Sequence, residues 1–301
     1  EIIGKLGGLH KFIHWDRPIL TDSGGYQVYS LGGLRKISEE GVTFQSHLDG
    51  SLHLLTPERV MEIQKTLGTD IAMVLDECVP YPSSYDYVKA STSLTTRWAG
   101  RCLQMRQEEG PAFFGIVQGG MYRDLREESA QSLVEMNFQG YAIGGLSVGE
   151  PKSMMLDVLE WTTSLLPENA PRYLMGVGTP EDILGAVMLG IDLFDCVVPS
   201  RHGRTGSLFT SVGRVVIKQA RYVRDEQPID PACGCPVCAR YSRAYLHHLF
   251  QVKEMLSSRL NTIHNLWYFA DLMGQIRSAI AQGTLQSFRD EFYRSREASD
   301  V

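Results

Sequence analysis

Short apolar runs alternate with longer amphipathic segments along most of this chain. The runs Pro18–Thr21, Ile71–Leu75, Phe113–Val117, Tyr141–Ile143, Tyr173–Met175 and Leu193–Asp195 are too short for helices and read as strands. Between them, Pro57–Leu67, Tyr122–Met136, Ser153–Leu166 and Pro180–Leu189 carry apolar residues at helical spacing. Thr56-Pro57 is a cap followed by proline at the first helical position, where a missing N–H costs nothing. Strands alternating with helices predict βαβ units and a parallel sheet. Val42–Leu55 reads as a hairpin inserted after the first strand.

Six such strands precede residue 200. An eight-stranded (βα)8 barrel of the TIM type needs two more, and these are expected upstream of Glu1. A doubly wound open sheet is the competing architecture. The placement of polar residues favours the barrel. Asp22, Asp76, Gln118, Gly144-Gly145, Gly176 and Asp195 each fall at the C-terminal end of a different strand, the rim from which barrel enzymes build their sites. One Asp after a strand is ordinarily a helix cap. Three Asp and a Gln at four strand ends are not explained that way. Beyond Asp195 the pattern changes. Residues 200–232 are rich in Arg, Gly and Pro around a β-like Arg214–Ile217, and helices are predicted at about Ala239–Leu256, Thr262–Gln282 and Leu285–Arg294. The chain reads as a single barrel domain, residues 1–301, including a subdomain at about 212–282.

Composition narrows the class. With 301 residues, 43% hydrophobic and 21% charged, the chain is neither disordered nor collagen-like, and it can bury a large core without disulfides. No run approaches 18 apolar residues, so no membrane-spanning helix is expected, and nothing near Glu1 reads as a signal peptide. The net charge of −6 argues against nonspecific coating of nucleic acid. It conceals a basic stretch: Cys196–Lys253 holds nine Lys or Arg against three acids. A specific polyanion partner and an ordinary solvated surface explain that stretch equally well. Of the six cysteines, three cluster at 233, 235 and 238 and three are scattered. A reducing cytosol fits this better than a disulfide framework does.

Several groups carry candidate chemistry. Cys233, Cys235 and Cys238 with His264 would make a closed Cys3His zinc site with no position for water, holding structure and doing no chemistry. His247 and His248 are nearer rivals for the fourth place, and free thiols are the plainer alternative. In Asp22-Ser23-Gly24-Gly25-Tyr26 the glycines let backbone approach a ligand, and Tyr26 offers a ring for stacking; a simple strand-to-helix turn also needs glycine. Asp195 and Asp22 are a candidate carboxylate pair for glycosyl transfer, one attacking an anomeric carbon while the other moves protons. Asp76, Gln118 and the backbone at Gly145-Leu146 suit a purine-like hydrogen-bonding edge. Arg201 and Arg204, in Pro199-Ser200-Arg201-His202-Gly203-Arg204, suit a phosphodiester backbone.

Taken together, these residues resemble the bacterial branch of the tRNA-guanine transglycosylases. The resemblance covers essentially the whole chain. It rests on Thr21–Gln27 (TDSGGYQ), Gly115–Gly119 (GIVQG), Tyr141–Glu150 (YAIGGLSVGE), Leu174–Gly178 (LMGVG), Leu193–Arg204 (LFDCVVPSRHGR) and the cysteine cluster with His264. It implies a (βα)8 barrel with a zinc-binding subdomain, a homodimer, and exchange of wobble-position guanine in tRNA for 7-aminomethyl-7-deazaguanine (preQ1). Asp195 would be the nucleophile on C1′ and Asp22 the general acid/base. Base recognition would fall to Ser23, Gly24, Gly25, Asp76, Cys78, Gln118, Gly145 and Leu146, with Tyr26 and Met175 sandwiching the base. The segments Gly176, Val177, Gly178, Thr179, Pro180, Glu181, Asp182 and Ser200, Arg201, His202, Gly203, Arg204 would contact the anticodon loop. Cys233, Cys235, Cys238 and His264 would hold one structural Zn2+. Val148 and Cys78 stand where members that accept queuine carry glycine and valine, implying the smaller base.

The family extends well upstream of Glu1, and the connection at Arg106–Pro111 is shorter than usual. The resemblance therefore implies either that residues are omitted here or that the barrel is incomplete. A retaining barrel glycoside hydrolase using Asp22 and Asp195 needs neither the zinc nor the basic stretch. A non-catalytic tRNA-binding subunit needs neither aspartate.

Overall fold

The computed structural model describes residues 1–30, 35–46 and 48–297. The chain divides into two compact units, Glu1–Val177 with Leu189–Phe194, and Gly178–Met188 with Asp195 onward.

The first unit is built on β1 (Leu20–Thr21), β2 (Arg35–Ile37), β3 (Val42–Gln45), β4 (Leu52–Leu55), β5 (Ile71–Met73), β6 (Ala112–Val117), β7 (Gly140–Ile143), β8 (Arg172–Leu174) and β9 (Leu193–Phe194). Its main sheet runs in the order β1-β5-β6-β7-β8-β9, and every neighbouring pair is parallel. The order never reverses. A doubly wound sheet reverses at its switch point, whereas a barrel wall adds each strand beside the last. The fold is thus α/β with a barrel-type wall, and each of the six predicted strands is present. The predicted hairpin is the antiparallel pair β3–β4, with β2 paired to the other side of β3; residue 47, which the predicted span includes, lies outside the described residues. Arg35-Lys36 puts two cations in β2, which weakens its strand signal in the sequence.

Helix Pro57–Leu67 has the predicted bounds. The Thr56 hydroxyl accepts from the Arg59 amide, and Gly68 closes the helix at φ +70°. Its buried Gln64 accepts from the Met73 amide at 3.0 Å and donates to the Met73 carbonyl at 2.9 Å, pinning the helix to the end of β5. The longest helix of this unit, Tyr85–Gln104, carries no clean amphipathic pattern in the sequence because Ser and Thr occupy its inner face. The buried Thr92 hydroxyl donates back to the Val88 carbonyl at 2.8 Å, and the buried Thr95 hydroxyl accepts from the Glu77 amide at 3.0 Å, which lets polar side chains sit inside. Trp98 is fully buried on the same helix and donates to the Glu39 carbonyl at 2.9 Å.

In the second unit, β10 (Ser207–Thr210) and β11 (Gly213–Val216) form an antiparallel hairpin, close to the predicted Arg214–Ile217. The predicted helix Ala239–Leu256 is divided. It begins at Arg243, capped by Ser242, and ends at Gln251. Lys253 then takes φ +59°, and a new helix runs Met255–Ala281, starting upstream of the predicted Thr262. The core of this unit packs Leu208, Ile217, Ile229, Val237 and Leu246 around the cysteines. Among the described residues no helix is long and apolar enough to cross a membrane.

The β6–β7 pair is close-packed enough to test. A Cβ at Gly140 would run into the ring of the buried Phe114. Gly140→Ala is expected to cost about 1–3 kcal/mol through overpacking, measured as a lowered denaturant midpoint with an unchanged slope.

Candidate active site

In the first unit the parallel strands deliver their C-terminal residues one after another. Asp22 follows β1 directly and is exposed, Gln118 follows β6, Gly144 follows β7 and Met175 follows β8, while Asp76 lies three residues past β5. Ser23 is buried, and its hydroxyl accepts from the Gly25 amide at 3.3 Å. Gly24 takes φ +90°. A Cβ at Gly25 would stand 2.6 Å from Asp76 Oδ1. The tandem glycines therefore allow this turn to lie against a carboxylate.

Asp76 and Gln118 are 7% and 1% exposed, and Gln118 Nε2 donates to Asp76 Oδ2 at 2.7 Å. The Ser129 hydroxyl accepts from the Gln118 amide at 3.1 Å. Cβ atoms at Gly144 and Gly145 would stand 2.7 and 2.5 Å from the Gln118 amide group, and Gly145 takes φ +66°. Asp76, Gln118, Gly25, Gly144 and Gly145 thus form one packed group. Burial pushes the Asp76 carboxyl up to about 6 against the opposing Gln118 hydrogen bond, with the negative charges of Asp22 and Glu77 adding to the rise. Among the described residues no protein donor meets the buried Gln118 Oε1. Cys78 is buried beside this group, its thiol pushed up to about 12 chiefly by burial. Tyr26 lies on helix Gly25–Ser30 and is 58% exposed.

Sequence reasoning passed over two members of this neighbourhood. Arg126 is fully buried and donates to the carbonyls of Val117 and Gly120 at 3.0 and 2.9 Å, bracing the turn that carries Gln118. Lying on the inner face of a helix, it resembled any other helical cation. The Glu150 carboxylate accepts from the Ser147 and Val148 amides, the latter at 2.9 Å, and closes the loop after β7, where Ser147 takes φ +58°. Its place in the YAIGGLSVGE run was the available signal.

In the second unit Asp195 is exposed and begins the segment that follows β9. The Cys196 thiol donates to the Gly178 carbonyl at 3.4 Å, and a Cβ at Gly178 would run into that sulfur. Thr179 caps the next helix: its hydroxyl accepts from the Asp182 amide at 3.2 Å and donates to the Asp182 carboxylate at 2.6 Å. Helix Val198–Arg204 turns Pro199 and Gly203 inward and leaves Arg201 and Arg204 exposed. His202 is half-buried and stacks on Phe209 at 5.5 Å; burial, with Arg214 and Arg201 nearby, holds it below its ordinary pKa. The basic stretch therefore divides. Arg214 donates to the Ser207 hydroxyl at 2.7 Å and Arg243 pairs with Asp225 at 3.0 Å, which are structural roles.

The ligand atoms of Cys233, Cys235, Cys238 and His264 all lie within 4.8 Å of one another. His264 Nδ1 is 3.9, 3.5 and 3.4 Å from the three sulfurs in turn. The N–S edge of a tetrahedron with the usual zinc bond lengths is about 3.6 Å, so the donor set could hold a metal ion. His264 Nε2 sits 2.8 Å from the Phe209 carbonyl, which fixes the tautomer that frees Nδ1. His247 is engaged elsewhere, with Nδ1 2.7 Å from the Ile217 carbonyl.

The family described as queuine tRNA-ribosyltransferase matches residues 1–298 of the chain. A queuine tRNA-ribosyltransferase from Pelotomaculum thermopropionicum is 56% identical over 294 residues, covering 98% of this chain and 80% of that protein. One from Ruminiclostridium cellulolyticum is 58% identical, covering 97% of this chain and 79% of that protein.

The buried carboxyl generates a pH-dependent prediction. Its folded pKa of about 6 lies above the ordinary 3.8. Asp76 therefore favours the fold most when protonated, at low pH, and that contribution is lost as pH rises through about 6. Asp76→Asn, which keeps the shape without the charge, is expected to gain stability relative to wild type as pH rises from about 4 to about 7, mostly between the unfolded 3.8 and the folded value of about 6, by about 3 kcal/mol in all at 1.36 kcal/mol per pH unit. Thermal unfolding of both proteins across that range measures it; a constant difference contradicts the assignment.

Proposed function

This chain belongs to the queuine tRNA-ribosyltransferase family, and on that premise we propose that it replaces the wobble guanine of tRNA with preQ1 in queuosine biosynthesis. The observation that carries the reading is the buried Asp76–Gln118 pair packed against glycine backbone. An ionised carboxylate beside an amide matches the donors and acceptors on the pyrimidinone edge that guanine and preQ1 share. Above pH 6 Asp76 is ionised and accepts, and Gln118 Oε1 has no protein donor to compete for it among the described residues.

In the proposed reaction an Asp195 oxygen attacks C1′ of the ribose, and the C1′–N9 bond to guanine breaks. Asp22 gives a proton to the departing base. After guanine leaves, preQ1 enters, loses its N9 proton to Asp22 and attacks C1′, and the ester bond to Asp195 breaks. Ser23, Gly24, Gly25, Cys78, Gly145 and Leu146 complete the base wall, with Tyr26 and Met175 on its two faces. The Leu146 carbonyl accepts from the preQ1 ammonium, and Val148 limits the space beyond. Residues Gly176–Asp182 and Ser200–Arg204 contact the anticodon loop; the exposure of Arg201 and Arg204 supports this reading.

We further read the Cys3His cluster as a structural Zn2+ site within a subdomain at about residues 212–282 of one barrel domain. Four protein donors leave no open position, so the metal supplies a crosslink and the reaction proceeds without it. The protein is proposed to be a homodimer of the cytoplasm, where its cysteines would stay reduced.

Incubation with tRNA and radiolabelled guanine tests the activity directly. Incorporation of label is expected, and hydrolysis without incorporation would instead indicate a glycoside hydrolase. Asp195→Ala should lose the covalent protein–tRNA adduct on denaturing gels while keeping its far-UV spectrum. An undiminished adduct would move the nucleophile to another residue, with Asp22 the first candidate.

Elemental analysis should find one zinc per chain. Chelation should speed amide exchange in residues 212–282 before it does so in the parallel sheet. Freshly purified, fully folded protein without zinc would overturn the metal assignment.

A further inference from the structure

His264 and Asn265 are consecutive on helix Met255–Ala281 and are both fully buried. Neighbouring helical residues point about 100° apart, so the two side chains serve different surroundings. His264 turns Nδ1 to the three sulfurs and Nε2 to the Phe209 carbonyl. Asn265 accepts from the Phe209 amide at 3.1 Å through Oδ1, and through Nδ2 it donates to the carbonyls of Pro199 at 2.9 Å and Ser207 at 3.0 Å. Phe209 is thereby held at both ends of its backbone by adjacent residues of one helix, one of them a member of the Cys3His cluster. The same asparagine reaches the first turn of helix Val198–Arg204. One turn further on, a Cβ at Gly203 would stand 2.9 Å from the Thr262 backbone, so the short helix rests on the long one without an intervening side chain.

We propose that Asn265, with Gly203, is a positioning device that docks the arginine-bearing helix Val198–Arg204 onto the helix carrying His264, and so sets where Arg201 and Arg204 meet the RNA backbone. Three features support it. Pro199 and Gly203, four residues apart, form the inward face, while Arg201 and Arg204 share the outward one. A helix of seven residues is too short to hold its own conformation in water. Asn265 uses both donors and its acceptor, so its loss would remove three buried hydrogen bonds that tie the short helix and the Ser207–Phe209 strand to the long helix. The inference rests on the reading above in which Ser200–Arg204 contact tRNA.

The test uses the metal-loaded protein and four variants. Asn265→Asp keeps the shape but turns oxygen toward the Pro199 and Ser207 carbonyls. Gly203→Ala inserts a methyl group between the helices without touching that hydrogen-bond network. Each is expected to raise the KM for tRNA about tenfold, to leave the KM for guanine within about twofold, and to speed amide exchange at residues 198–204. Metal content should stay at the wild-type value. Arg201→Ala and Arg204→Ala should raise the tRNA KM with unchanged exchange at 198–204. If Asn265→Asp fails to fold or loses its metal, Gly203→Ala decides. Wild-type KM for tRNA in Gly203→Ala, or equal rises in both KM values, overturns the proposal. Where the arginine variants alone weaken tRNA binding, only the positioning role fails. Where they too behave as wild type, the tRNA-contact reading fails with it.

Discussion

Every strand of the main sheet runs the same way, and the organisation of the first unit follows from that. A parallel sheet sends each connection back along the outside, so every strand finishes at the same edge. Asp22, Asp76, Gln118, Gly144 and Met175, widely separated in sequence, become residues of one rim. The chain also leaves β9 at that end, and Asp195 is the next residue. The buried tie of Gln64 to Met73 holds the end of β5.

Within that rim, backbone without side chains makes room for charge. Gly25, Gly144 and Gly145 each approach Asp76 or Gln118 where a methyl group could not fit. This close packing excludes water, and water exclusion raises the Asp76 carboxyl toward 6. Ionising Asp76 near neutral pH works against the stability of the fold. Such a cost is characteristic of sites where binding, and not stability, selected the residue. Arg126 is its cationic counterpart, buried and hydrogen-bonded only to main-chain carbonyls in the contacts described, where it holds the turn that presents Gln118.

The second unit solves a different problem. Residues 205–242 contain one short hairpin and little other regular structure. The apolar side chains of this unit gather around a four-donor cluster that could hold a metal ion, and a bound ion would add a crosslink to that core. His264 and Asn265 then connect the cluster to Phe209, Ser207 and Pro199. The helix bearing Arg201 and Arg204 is thus connected to the cluster through side-chain hydrogen bonds to backbone groups, which constrain direction as well as distance.

Strand positions, the barrel-type order, the cysteine cluster and the aspartates at strand ends were all readable in the chain itself. Each depends on short-range periodicity or on residue types that punctuate it. Helix Tyr85–Gln104 was not readable, because polar Ser91, Thr92 and Thr95 stand on its inner face, where Thr92 bonds back along the helix and Thr95 accepts from the Glu77 amide of another segment. The break at residues 252–254 was not readable either, since Lys253 adopts a left-handed conformation with no glycine or proline to announce it. Spacing left three histidines open as the fourth ligand, and only the folded chain separates His264 from His247. The same holds for arginines whose partners lie on distant segments, and for a carboxyl whose pKa is set by what packs over it. Composition and local pattern determined which chemical groups this protein has and which elements carry them. Tertiary structure decided which groups are dry, which are paired and which face solvent, because those properties come from segments that meet only after the chain has folded.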